Sequence, residues 1–474
     1  MNFYEKHKFL LQIIAGPLLF ILTYYACLGM CNPKQAAALA TCMWMGIWWV
    51  LRPVDIAVTA LLPILINSFF GMIPMGGIIS RYFSEIVILL LGSDLISITW
   101  ESSKLDQRLA LRSLCLIGAS LKQQIFVWLA ASTILSVFLP NVVTVQILIP
   151  VAIAMLKFLG EKDISSSAVA VPILLAIVWG AGIGGFGSPL GGAANLVAIG
   201  YIENLTGKEF MYGDWVIRFV PLLAVVMFLN FFFLVRIKTP INQLPGSSAY
   251  FKNMYAKLGQ IRKSEIIGFS LFFVAMVLSF VRPYYMKLLP LMKPAYVFFF
   301  FGMLTFVLKD ENDKPMLTWK VAEKKLGWGM MFLFAGGLAL GKLVTDTGAA
   351  KIIAEKITLL PLSGGIETFL VFGIFSTILT EISSNTAAAA IAIPVVLTTC
   401  QQMGVNPIPF LLGCIVAVNC AYVLPVSIRA IGCNHGLDPA HLLRYGAPLS
   451  ISGVVIISLL CYFCMRFWPM FNSL

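Results

Sequence analysis

Apolar segments long enough to cross a bilayer recur along nearly the whole of this chain, and no other feature limits its fold so tightly. About twenty apolar residues in helical conformation span the hydrocarbon of a membrane. Segments of that kind lie near 9–30, 36–51, 55–73, 84–100, 167–200, 215–235, 264–281, 294–308, 326–345, 406–433 and 446–466. Charged residues make up only 11% of the 474, and the mean hydropathy is +0.92. A soluble globular chain is about one-quarter charged, so too few charges remain here to coat a water-facing surface. That excludes a cytosolic enzyme, a disordered chain and a nucleic-acid reader. In lipid the backbone has to satisfy its own polar groups. The expectation is therefore an all-α polytopic membrane protein.

Two further apolar stretches, 123–158 and 366–400, are each split near the middle by a polar tip. The tips are Pro140-Asn141 and Ser383-Ser384-Asn385-Thr386. Non-helical backbone at membrane depth survives only when buried in protein or lining a wet cavity, which predicts two re-entrant helical hairpins. The two stretches also match each other. Ser132-Thr133-Ile134-Leu135 recurs as Ser376-Thr377-Ile378-Leu379, and in that register Asn141 meets Asn385 and Pro150 meets Pro394. Nine of the twenty positions from 132 to 151 are identical.

Downstream of each hairpin comes a span interrupted by proline and small or polar residues, Gly187 to Asn195 in one half and Leu424 to Gly432 in the other. Eleven spans and two hairpins put the termini on opposite sides. With the N-terminus cytoplasmic, Lys and Arg favour the cytoplasmic segments about two to one, as the positive-inside bias requires. The clearest such segment, 236–263, holds six basic residues and no acidic one and divides the halves. The net charge of +12 thus reads as topology plus attraction to anionic headgroups. The first hairpin then enters from inside and the second from outside. An inverted repeat of this kind marks an alternating-access carrier whose site lies where the halves meet.

An anionic substrate at that depth needs positive potential. Free N–H groups at half-helix N-termini supply it, and unwound carbonyls with Ser, Asn and Thr oxygens can hold sodium. Ser384-Asn385-Thr386, followed by four alanines, suits both tasks. Arg429 lies in the second interrupted span. An arginine at depth is by default functional; the alternative is that it snorkels to the interface. Glu381 either binds a proton or cation or faces water at the end of its arm. His435 and His441 follow nearby and read as solvated loop residues. Gly182-Ile183-Gly184-Gly185-Phe186-Gly187 matches the dinucleotide-binding pattern, but no strand precedes it, so the glycines are assigned to close packing and an unwound segment. Cysteines lie mostly inside apolar stretches, Cys461 and Cys464 included, and read as small buried residues.

These residues resemble the divalent anion/sodium symporter family, the INDY-like dicarboxylate transporters. The marks are the Ser384-Asn385-Thr386 tip, Gly187-Ser188-Pro189-Leu190-Gly191, Asn195-Leu196-Val197-Ala198 and Thr59-Ala60-Leu61-Leu62-Pro63. The resemblance implies a homodimer of eleven-span protomers with two hairpins, in which a transport domain moves as an elevator against a scaffold. It implies C4-dicarboxylates, 2-oxoglutarate or citrate as substrates, held by the two tips, with two sodium sites in symporters.

Three departures stand out: Pro140-Asn141-Val142 at the first tip, Gly192-Ala193-Ala194-Asn195 in the first break and Ser427-Ile428-Arg429-Ala430 in the second. The expected substrate residues are Asn141, Val142, Ser188, Gly191, Gly192, Ser384, Asn385, Thr386, Ser427 and Arg429. Remnants of sodium sites are expected at Asn141, Ser384 and Asn385. No organic cofactor is expected.

Because oxygen ligands for sodium are fewer and Arg429 is a fixed charge, the expected function is sodium-independent exchange of dicarboxylates; the alternative is sodium-coupled symport of dicarboxylate or citrate. A membrane-embedded enzyme lacks any supporting motif. The expected organisation is 1–120 mainly scaffold, 121–235 the first repeat core, 236–263 the basic cytoplasmic loop, 264–325 scaffold, and 326–474 the second repeat core.

Overall fold

The computed structural model describes residues 3–116, 118–161, 164, 167–352 and 362–473. Among them the secondary structure is helical, with only two isolated β-bridges. Among the described residues ten helices are long and apolar enough to cross a membrane. The first, Phe3–Leu28, leaves Leu11, Ile21, Leu22 and Tyr25 exposed. A lipid-facing helix does this, because hydrocarbon is its solvent. At the other extreme every residue of Ala170–Gly184 is buried, so this helix lies at the centre of the protein.

Small residues explain how the centre closes. The first hairpin consists of Leu121–Phe138 and Asn141–Phe158, joined at Leu139-Pro140. Its first arm packs on Ala170–Gly184, where Gly180 and Gly184 present no side chain to the Leu129 and Thr133 carbonyls. The Ser132 hydroxyl donates to the Ile177 carbonyl at 2.6 Å, and that of Ser136 to the Ala181 carbonyl at 2.8 Å. Small and hydroxylated residues are the means by which helices approach closely in lipid, where burial alone gives no drive to associate.

The second hairpin, Ile366–Ile382 and Asn385–Met403, repeats the arrangement against Ile408–Asn419. Ser376 lies 3.0 Å from Cys414 Sγ, and the Thr380 hydroxyl donates to the Val418 carbonyl at 2.6 Å. These contacts match those of Ser132 and Ser136, so the repeat read from sequence is also a repeat of contacts.

Several expected elements differ. The span expected at 55–73 is two helices, Ile56–Thr59 and Leu62–Phe70, because Pro63 starts a new helix at its first turn, where its missing N–H costs nothing. The span expected at 294–308 is an eleven-residue helix, Pro294–Leu304. The segment 236–263 is not a simple loop but contains the helix Ser247–Lys257. This segment is tied to the first hairpin: Leu121 N donates to the Asn242 carbonyl, Leu244 N to the Ala119 carbonyl, and Gln124 to Ser247 Oγ at 2.8 Å. Its far end is held by Arg108, which donates to the Leu258, Gly259 and Gln260 carbonyls and pairs with buried Glu265 at 3.0 Å.

Candidate functional site

Both interrupted spans are broken helices. In the first half Ala170–Gly184 runs into the 3₁₀ turn Gly185–Gly187, and helix resumes at Ala193–Thr206. In the second, Ile408–Asn419 ends at Cys420 and helix resumes at Ile428–Asn434. Each break leaves carbonyls without an intrahelical partner, and such groups need partners when buried.

The two hairpin tips meet at these breaks. At the first tip Asn141 is half-buried, and the Ser136 hydroxyl shares its one proton between Asn141 Oδ1 and the Ala181 carbonyl, 2.8 Å from each. At the second tip the Thr380 hydroxyl is shared in the same way between Asn385 Oδ1, at 2.9 Å, and the Val418 carbonyl. A relay of amides then joins the halves. Asn385 Nδ2 donates to Asn419 Oδ1 at 3.4 Å, and Asn419 Nδ2 donates to Asn195 Oδ1 at 3.3 Å. Asn195 Nδ2 in turn donates to the Gly185 and Ser188 carbonyls at 2.7 and 2.8 Å. Asn141 faces the same point: a Cβ on Gly185 would lie 2.7 Å from Asn141 Nδ2 and 3.0 Å from Asn419 Oδ1. Only glycine leaves room there.

The remaining expected residues fall around this centre. The Ser188 hydroxyl donates to the Val137 carbonyl at 2.5 Å and accepts from Gly191 N at 3.2 Å. Gly191 is buried and Gly192 half-buried. Ser384 caps the second arm of its hairpin by accepting from Ala387 N, Thr386 is buried, and Val142 packs on the core. Ser427 starts the resumed second helix with φ 57°, a left-handed conformation that a serine holds only when its surroundings enforce it.

Arg429 does not snorkel. It is 1% exposed and donates to the carbonyls of Leu424, Ala421 and Thr380. Glu381, also buried, lies 3.5 Å away and accepts from the backbone N–H groups of Tyr422, Val423 and Leu424. So Glu381 neither faces water nor stands alone; acid and base together hold the unwound segment. Among the described residues no three His, Cys, Asp or Glu gather into a metal site. The oxygens near the tips are carbonyls, hydroxyls and amides, with the Glu381 carboxylate beside the second.

The family described as the sodium:sulfate symporter transmembrane region matches residues 7–474. The chain belongs to this family of divalent anion/sodium symporters. Its members are transporters rather than enzymes. Among similar proteins, one from Staphylococcus saprophyticus, named sodium-dependent dicarboxylate transporter SdcS, is 29% identical over 96% of this chain and 91% of its own length. The protein of the same name from Staphylococcus aureus is 30% identical over the same shares. Among solved structures, the crystal structure of the Alcanivorax borkumensis YdaH transporter matches with a TM-score of 0.54 at 13% identity. The match covers 83% of this chain and 88% of that one, a likeness of fold.

Within this family member, the residue most plainly missed by sequence reasoning is Asn419, the link between the halves. Its signal was present: an asparagine inside an apolar span, 34 residues after Asn385. Ser136 and Thr380, which orient the tip asparagines, sit at matching positions of the repeat, a pairing that the register alone could have shown.

Proposed function

We propose that this protein carries dicarboxylates across a membrane together with sodium, by alternating access. The observation that carries the reading is the convergence of two hairpin tips on two broken helices, Asn141 beside Gly185 and Asn385 linked through Asn419 to Asn195. Half-helix N-termini at Asn141, Ala193 and Asn385 offer free N–H groups to carboxylates without a bare charge. On this reading one carboxylate is held by Asn141, the backbone at Val142 and Gly192, and the other by Ser384, Asn385 and Thr386. Ser188 and Gly191 shape the first break, and Ser427 and Arg429 the second. Sodium takes carbonyl and amide oxygens beside Asn141. The relatives named sodium-dependent dicarboxylate transporters support both substrate class and coupling.

Sodium-independent exchange, expected from the sequence, rested on the fewer oxygen ligands at the first tip and on Arg429 as a fixed charge, which left uncompensated would hinder return of the empty carrier. Glu381 compensates that charge, so the second ground lapses; against the first stand the sodium-dependent relatives, and symport is the better reading. We further infer eleven spans and two re-entrant hairpins, with 121–235 and 326–474 moving against a scaffold of 1–120 and 264–325 in a homodimer with cytoplasmic N-termini. Residues 353–361 of that last segment lie outside the described residues.

The test is uptake of labelled succinate into proteoliposomes. Uptake is expected to need an inward sodium gradient, to fall at least tenfold when choline replaces sodium, and to proceed without internal dicarboxylate. Uptake that ignores sodium but requires internal dicarboxylate would overturn symport and establish exchange in its place.

A further inference from the structure

The two helix breaks hold their carbonyls by different chemistry. At the first, the Ser136, Gly185 and Val137 carbonyls converge beside Gly191: a Cβ there would lie 2.5, 2.8 and 3.2 Å from their oxygens. The side chains that donate to this group, Ser188 Oγ to Val137 and Asn195 Nδ2 to Gly185, are neutral. At the second break the Thr380, Ala421 and Leu424 carbonyls all receive the Arg429 guanidinium, and the Glu381 carboxylate completes the ring. The Thr380 carbonyl belongs to the last turn of Ile366–Ile382, the negative end of that helix.

Three carbonyls and a carboxylate gathered round one cationic side chain at an unwound helix are the kind of oxygen donors a cation takes. The planar guanidinium, with five N–H donors, can serve all four partners at once. The repeat shows that the charge is an addition. In its register Glu381 corresponds to Val137, and Arg429 does in the second half what neutral Asn195 does in the first, binding two break carbonyls three residues apart. Acid and base occur together in one half and are both absent from the other.

We propose that Arg429 is a tethered cation, filling at the second break the place a transported sodium ion would take, so that transported sodium is held at the first break alone. The ion that compensates Glu381 then never leaves the protein. The ion count rests on the sodium-coupled reading above; the tethered cation itself is tested by binding, without transport.

The experiment is equilibrium binding of ²²Na⁺ to the purified full-length protein in detergent, with the sodium-to-succinate ratio measured in proteoliposomes. The parent protein should bind one sodium ion per chain. Arg429→Ala should bind one more, because Glu381 and three carbonyls are left without a cation, and its transport ratio should rise by one. Combining Arg429→Ala with Glu381→Gln should abolish the added ion, and Arg429→Lys should keep the parent count. A folded Arg429→Ala that binds no additional sodium overturns the proposal, as does a parent that binds two. If Arg429→Ala is too unstable for counting, the parent count decides. A parent whose uptake ignores sodium sinks the coupled reading only, and the gain of a site in Arg429→Ala still decides the tethered cation.

Discussion

The first and second helix breaks solve one problem with unlike materials. Both must satisfy carbonyls exposed by unwinding at depth, where an orphaned polar group is costly. The first uses an amide, Asn195, and a hydroxyl, Ser188. The second uses an ion pair, Arg429 with Glu381, which between them engage three carbonyls and three N–H groups. Neutral donors leave the first break free to admit and release a cation. An ion pair keeps the second permanently charged inside but neutral overall, so it is a fixed part of the frame. Two halves descended from one pattern can thus divide labour, one keeping an exchangeable site and the other a permanent one.

Removing one member of the pair is the harshest way to break this comparison. Glu381→Ala strands a buried guanidinium and leaves the Tyr422, Val423 and Leu424 N–H groups without their acceptor. Breaking a buried ion pair from one side costs about 3–5 kcal/mol. The melting temperature in detergent should fall by several degrees at least, and transport should be lost. Val137→Ala, the matching change in the first half, removes no charge and should cost only about 1 kcal/mol. Similar losses from the two variants would show that the halves are stabilised alike.

Gly191→Ala sharpens the comparison at the other break. The added methyl enters the point where the Ser136, Gly185 and Val137 carbonyls converge. Sodium activation of uptake should weaken about tenfold or more, equivalent to about 1.4 kcal/mol. Fold stability should fall as well, because the methyl would lie 2.5 and 2.8 Å from backbone oxygens that must move aside. Unchanged sodium activation in a folded Gly191→Ala would place the ion elsewhere.

The large features were legible because periodicity and composition encode them directly. Spanning helices follow from apolar length, and the repeat follows from Ser132–Pro150 matching Ser376–Pro394. Both tips and both breaks announced themselves as polar interruptions of apolar runs. What stayed hidden depends on partners remote in sequence. Arg429 alone permits two readings, at depth or at the interface, and its burial among the Leu424, Ala421 and Thr380 carbonyls beside Glu381 decides between them. Asn419 looked like one polar residue in an apolar span; its meaning lies in touching Asn385 and Asn195, which are 34 and 224 residues away. The helix Ser247–Lys257 was hidden for a different reason. Its sequence is too polar to stand out by hydropathy, and packing of Phe251 on Trp128 of the first hairpin holds it in place.

The mildest test asks how much a neutral strap contributes. The Ser188 hydroxyl ties the first break to the end of the hairpin arm through the Val137 carbonyl and supports the turn by accepting from Gly191 N. Ser188→Ala removes both bonds, yet no charge is stranded, and Asn195 still holds the Gly185 and Ser188 carbonyls. A typical hydrogen bond contributes about 1 kcal/mol net, so a loss of about 1–2 kcal/mol is expected by thermal melting. Sodium activation should weaken less than in Gly191→Ala, because the three convergent carbonyls keep their positions. Ser188→Thr restores a hydroxyl and should recover the stability. A loss from Ser188→Ala as large as that from Glu381→Ala would mean that the first break is as rigid as the second. The contrast between an exchangeable and a permanent site would then fail.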